Sequence, residues 1–213
     1  SKPEAAPTDF KNNRVLIPPR NTARIAAIPN PVLNTAGLKS YQQQLFTKLM
    51  THIPADQKRL MLMVSGKTQD PKQLMSAATI AFMQGHNPAA IGLALQAFEK
   101  APADPVIRNN IAAILSQSGY GDKAIPFLRQ LALEFPDNAT VFHNTGYAWL
   151  SLGAADSAKK YIEKAMQLNP ENPETQLCRG LLEELSGNQF HAADYYVAGY
   201  QKAPNDMAEK MAT

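Results

Sequence analysis

The 213-residue sequence predicts an all-α chain of repeated helical hairpins, and three observations carry that prediction. Pro102, Pro136, Pro170 and Pro204 are spaced by the same 34 residues. A glycine recurs in one register at Gly85, Gly119, Gly153 and Gly187, and an alanine in another at Ala90, Ala124, Ala158 and Ala192. Aligned on the prolines, the blocks run 71–104, 105–138, 139–172 and 173–206 with no insertion or deletion. Small residues at two fixed places let paired helices turn and approach, and a proline near the end of each block stops the second helix.

Taken in chain order, residues 1–35 hold Pro3, Pro7, Pro18, Pro19, Pro29 and Pro31, which prevents a continuous helix. Yet "RVLIPP" and "IAAIPNPVL" are too apolar for a plain linker. Each aliphatic side chain there would gain about 1.5 to 3 kcal/mol on full burial. Such a segment is either partly disordered or laid extended across a surface, and extended docking is favoured. Residues 36–70 read as a helical pair. Leu38, Tyr41, Leu45, Phe46, Leu49 and Ile53 share one helical face, with Asn34 or Thr35 as the cap, and Pro54 opens a second helix ending near Gly66. Lacking the glycine and proline markers, this pair is expected to cap the first block, whose packing face would otherwise be bare.

Block 139–172 shows the repeat most fully. Phe142, Thr145, Gly146 and Trp149 follow helical spacing on its first segment, and Ala158, Ile162 and Ala165 on its second. Pro105 and Pro173 suit the first turn of a helix, where no intrahelical donor is lost. Block 71–104 is alanine-rich and predicts closely approached helices. Arg108, Gln176, Arg179 and Glu183 stand where apolar residues are expected to pack, while Leu177, Leu181 and Leu185 run at i, i+4 and i+8. Residues 207–213 read as the start of a C-terminal capping helix or as a tail.

On the bulky, small and proline places of these four blocks, the chain resembles the tetratricopeptide repeat (TPR) family over 136 of its 213 residues. The resemblance implies an all-helical α-α superhelix, a solenoid of four repeats, in which first helices line a concave groove and second helices form the convex back. It assigns the groove to places two, five, nine and twelve of each first helix. These are Lys72, Met75, Thr79 and Phe82; Val106, Asn109, Ala113 and Ser116; Thr140, His143, Tyr147 and Leu150; and Glu174, Leu177, Leu181 and Glu184. The leucine stripe of the fourth block is then displaced toward the groove.

Composition sets the limits on function. With 45% hydrophobic and 18% charged residues, and no apolar run near the roughly 18 residues a membrane span needs, a globular chain without membrane insertion is expected. Residues 1–70 carry ten Lys and Arg against four Asp and Glu, and the remainder carries 11 against 14. The cations are scattered, so nucleic-acid binding is not expected. The single cysteine, Cys178, excludes an internal disulfide. The opening "SKPEAAPTDF" is of the kind that follows a removed export signal or lipid anchor, which favours a periplasmic, secreted or cell-envelope location and an exported bacterial family member, although a trimmed chain fits equally.

Catalytic and metal motifs are lacking. "SGKT" at Ser65–Thr68 has Met61 where a phosphate-binding loop needs glycine, and "GYG" at Gly119–Gly121 suits a helix terminus. His52, His86, His143 and His191 lack ligand spacing, so no metal and no cofactor are expected. Cys178 and His143 form the nearest approach to a reactive pair, without a third orienting group. The carboxylate clamp of chaperone-binding TPR members is also missing, since either alignment, Met75, Thr79, Asn110, Thr140 and Asn144 or Asn109, Ala113, Asn144, Glu174 and Cys178, retains a single asparagine.

The reading that remains is a non-enzymatic protein-interaction adaptor. An apolar or aromatic-bearing peptide would lie against Met75, Thr79, Phe82, Asn109, Asn110, His143, Asn144, Tyr147, Leu177 and Leu181. The alternative is an assembly module whose groove is occupied by its own N-terminal arm or by a second copy, as a homodimer through that arm.

Overall fold

The computed structural model describes residues 18–202; the expectations for residues 1–17, for Pro204 and for a helix at 207–213 lie outside the described residues. Eleven helices and no strand are found among the described residues. The described residues divide into two compact units, one of residues 27–136 and one joining residues 18–26 with residues 137–202.

In the first unit, α4 (Pro71–Met83) pairs with α5 (Asn87–Lys100) and α6 (Pro105–Gln117) with α7 (Gly121–Glu134); α6 packs against both α4 and α5. In the second, α8 (Ala139–Leu150) pairs with α9 (Ala155–Leu168) and α10 (Pro173–Leu185) with α11 (Gln189–Lys202); α10 packs against both α8 and α9. Each pair turns at the repeating glycine, where Gly85, Gly119, Gly153 and Gly187 have φ of 80°, 83°, 66° and 81°, values that cost a side-chain-bearing residue about 1 kcal/mol or more. The repeating alanines are all buried.

A further periodic signal went unread in the sequence. Asp70, Asp104, Asn138 and Asn172, again 34 residues apart, cap α4, α6, α8 and α10, each side chain accepting a hydrogen bond from an N–H of the first turn. Proline follows three of these caps at the first helical position, where its missing N–H has no partner to lose.

The helices before the repeats are found at α2 (Thr35–Met50), capped by Asn34, and α3 (Ala55–Lys67), but the expected mutual pairing is corrected. Helix α3 lies on α4 and α5, with Met61 buried beneath Gly92, whereas α2 lies across the second helices α5 and α7. Gln42, buried on α2, donates from Nε2 to the Leu95 carbonyl at 3.0 Å, and the Tyr41 ring meets the edge of Phe127 at 5.8 Å. Phe127 in turn meets Phe98 edge-on at 5.2 Å, which makes this aromatic run the centre of the unit's core.

The arm is docked where described, and it is not wholly extended, since α1 (Thr22–Ala26) forms between its prolines. In the second unit the Asn21 N–H donates to the Leu152 carbonyl at 2.9 Å, Arg20 pairs with Asp156, and the backbone of residues 18–20 crosses Gly153 so closely that a Cβ there would stand 2.3 Å from the Pro18 oxygen. In the first unit Arg129 donates to the Pro29 carbonyl and Gln130 to Thr35. These acceptor sites are an inter-helix turn and a second helix, so residues 18–35 do not fill the wall of first helices.

Candidate functional site

Within each unit the first helices stand side by side, α4 with α6 and α8 with α10, and the candidate residues sit on these two walls. On the first wall Met75 is buried, Thr79 is exposed with its hydroxyl bonded to the Met75 carbonyl, and Phe82, Asn109 and Asn110 are half-buried. The more prominent apolar groups on α4 are Ile80 and Met83, 56% and 77% exposed, which the place assignment passed over.

The second wall is the more elaborate. His143 is buried between α8 and α10, its Nδ1 lying 3.1 Å from the Thr175 hydroxyl. That hydroxyl also lies 2.8 Å from Asn172 Oδ1, so the imidazole is tied to the cap of α10. Its Nε2 faces the Glu174 carboxylate at 3.5 Å. Burial lowers the imidazole's pKa, against the opposing pull of Glu174. Tyr147 lies one turn on, its ring stacked near His143 at 6.5 Å, 37% exposed, and its hydroxyl pKa is raised first by burial and then by Cys178 and Glu174.

Leu177 requires a correction. It is half-buried, and a Cβ on Gly199 of α11 would meet its Cγ and Cδ2 at 2.9 Å, so its side chain packs on its own repeat's second helix rather than displacing the stripe toward a guest. Met75 and His143 are likewise consumed by packing between helices. Of the predicted residues, Thr79 and Tyr147 are exposed, while Phe82, Asn109, Asn110, Asn144 and Leu181 are half-buried.

The Cys178–His143 pair does not assemble as a nucleophile and base. Cys178 is buried, its thiol pushed up to about 12 by burial and then by Glu174, and His143 spends Nδ1 on Thr175. No group of three His, Cys, Asp or Glu side chains able to hold a metal occurs among the described residues. His86 bonds Gln57 through Nδ1 at 2.9 Å instead of capping α5, and His52 and His191 are exposed. "SGKT" falls at the C-terminal end of α3, the wrong pole of a helix for phosphate.

The polar departures from the repeat pattern each find a partner, although Arg108 Nε, Gln176 Oε1 and Arg179 Nε stay buried without one. Arg108, 3% exposed, donates to Glu134 at 2.9 and 2.6 Å and to the Ala103 carbonyl. Gln176 donates to the Pro170 carbonyl, and Arg179 bridges Glu163 and Glu183. Arg108 and Gln176 hold the same fourth place of their blocks, and both tie down the loop ahead of their own helix.

No family model matches the chain, and no protein of curated function matches it. Solved structures do. A 41-to-end chain of MamA from Desulfovibrio magneticus RS-1 superposes with a TM-score of 0.56 at 16% identity over 81% of this chain and 97% of its own. MamA from strain MSR-1 gives 0.54 at 18% over 78% and 96%. TTC0263, a thermophilic TPR protein of Thermus thermophilus, gives 0.57 at 19% over 62% and 73%. At these identities the likeness is one of fold, and the fold of this chain is of the tetratricopeptide-repeat type.

Proposed function

We propose that the chain is a non-enzymatic adaptor, and that an apolar or aromatic-bearing segment of another protein lies against the α8–α10 wall. The observation that carries this reading is Tyr147. It is a rigid aromatic ring left 37% exposed on a first helix, stacked near His143, and half-buried Asn144 and Leu181 belong to the same pair of first helices. Such a ring contributes contact area at small entropic cost. No helix among the described residues is long and apolar enough to cross a membrane. The test is site-specific photocrosslinking from position 147 in the native cell, with Tyr147→Ala as the affinity control. A crosslink to a different polypeptide is expected, and its binding should weaken about tenfold in Tyr147→Ala. Adducts only between copies of this chain would favour the assembly reading, and no adduct at all would overturn the adaptor.

A further inference from the structure

A second apolar surface belongs to the other unit. Between α3 and α4 runs a cleft of about 120 Å³ lined by Leu60, Val64, Ala77, Ile80, Ala81, Leu93 and the polar Gln84. Helices α3 and α4, which form its lips, also carry Met63 and Met83, 53% and 77% exposed, and the lining residue Ile80 is 56% exposed. Large apolar side chains left exposed on two neighbouring helices around an apolar cleft are of the kind that marks an interaction site.

Charge narrows the partner. Arg59, Met63 and Lys67 follow one another at i, i+4 and i+8, so two cations flank the methionine on the α3 lip. Neither Arg59 nor Lys67 has an ion-pair partner among the described residues. The cations of the following repeat are occupied by contrast, Arg108 by Glu134 and Lys123 by Asp122. Against them on α3 and at the start of α4 stand only Asp56 and Asp70, and Asp70 spends its carboxylate capping α4.

We propose that this cleft docks an acidic amphipathic helix of another protein, its apolar ridge seated between α3 and α4 and its glutamates or aspartates meeting Arg59 and Lys67. A groove between two helices fits the side-chain ridge of a third. Helix α3 has 13 residues, which matches a guest of about 20 Å, or three to four turns. Methionine lips adapt to guests of varied shape. A second copy related by a two-fold axis would set cations against cations at this surface. A bilayer calls for a convex apolar face rather than a cleft.

The test uses the full chain and two fluorescein-labelled 14-residue helical peptides, identical along a leucine and phenylalanine ridge but flanked by glutamate in one and lysine in the other. Fluorescence anisotropy should show the glutamate peptide bound at least about tenfold more tightly, with affinity falling as NaCl rises. Arg59→Glu with Lys67→Glu should reverse that preference, and Met83→Asp should weaken the glutamate peptide about tenfold. These side chains are exposed, and an unchanged helical circular dichroism spectrum confirms folding. Tyr147→Ala should leave this binding unchanged, which keeps the result separate from the α8–α10 wall. Equal binding of both peptides, indifference to charge reversal, or displacement by phosphatidylglycerol vesicles would each overturn the proposal.

Discussion

Arg108 stands where Leu74 fills the same place of the preceding block, and its guanidinium is buried with a partner 26 residues away. The sequence exposed the anomaly without the remedy, because Glu134 sits at the end of the paired helix, where no local spacing rule links it to Arg108. The guanidinium's hydrogen bond holds the Glu134 carboxyl below the usual carboxylate range. Removing the acid leaves a buried cation, so Glu134→Ala should cost about 2 to 3 kcal/mol in urea unfolding, whereas the double change Arg108→Leu with Glu134→Gln should be nearly neutral. His143 supplies a pH signature. Its folded pKa lies below its ordinary value, so the folded protein binds fewer protons than the unfolded chain as pH falls through about 6.5. Stability contributed at pH 7.5 is therefore lost on acidification until the folded value is passed. The slope of unfolding free energy between pH 7.5 and 5.5 should flatten in His143→Gln.

At the level of elements, the four hairpins were legible because glycine, alanine and proline recur at places whose geometry only they satisfy. The site was less legible. Places five and twelve are assigned to a groove by resemblance, yet Met75, His143, Ser116 and Leu150 are buried, and only the second place is exposed in all four blocks. Helix α2 was found in sequence with its cap, but its partner was not, since its apolar face is answered by α5 and α7 far along the chain. The inter-helix turns offer a controlled contrast. Gly119→Ala meets open space and should cost only the positive-φ penalty of about 1 kcal/mol. Gly153→Ala meets the backbone of residues 18–20 at 2.3 to 2.7 Å as well. It should destabilise by about 2 kcal/mol more and speed amide exchange at Asn21, whose N–H is bonded to Leu152.

Across the whole molecule, the 34-residue period is written four times over, in turns, close contacts, stops and caps, and redundancy of that kind is what lets one sequence reveal a repeat fold without help from relatives. The residues before the repeats have no such echo, so their docking depends on matching one irregular segment to one distant acceptor. That docking departs from the behaviour of a simple array, in which every unit answers only to its neighbours. Arg20 reaches Asp156 across 136 positions. During synthesis at about 5 to 20 residues per second, the leading segment is made on the order of ten seconds before its receptor turn emerges. For that interval Arg20 and Asn21 lack their native partners, Asp156 and Leu152, and the segment stays open to other contacts until the loop closes.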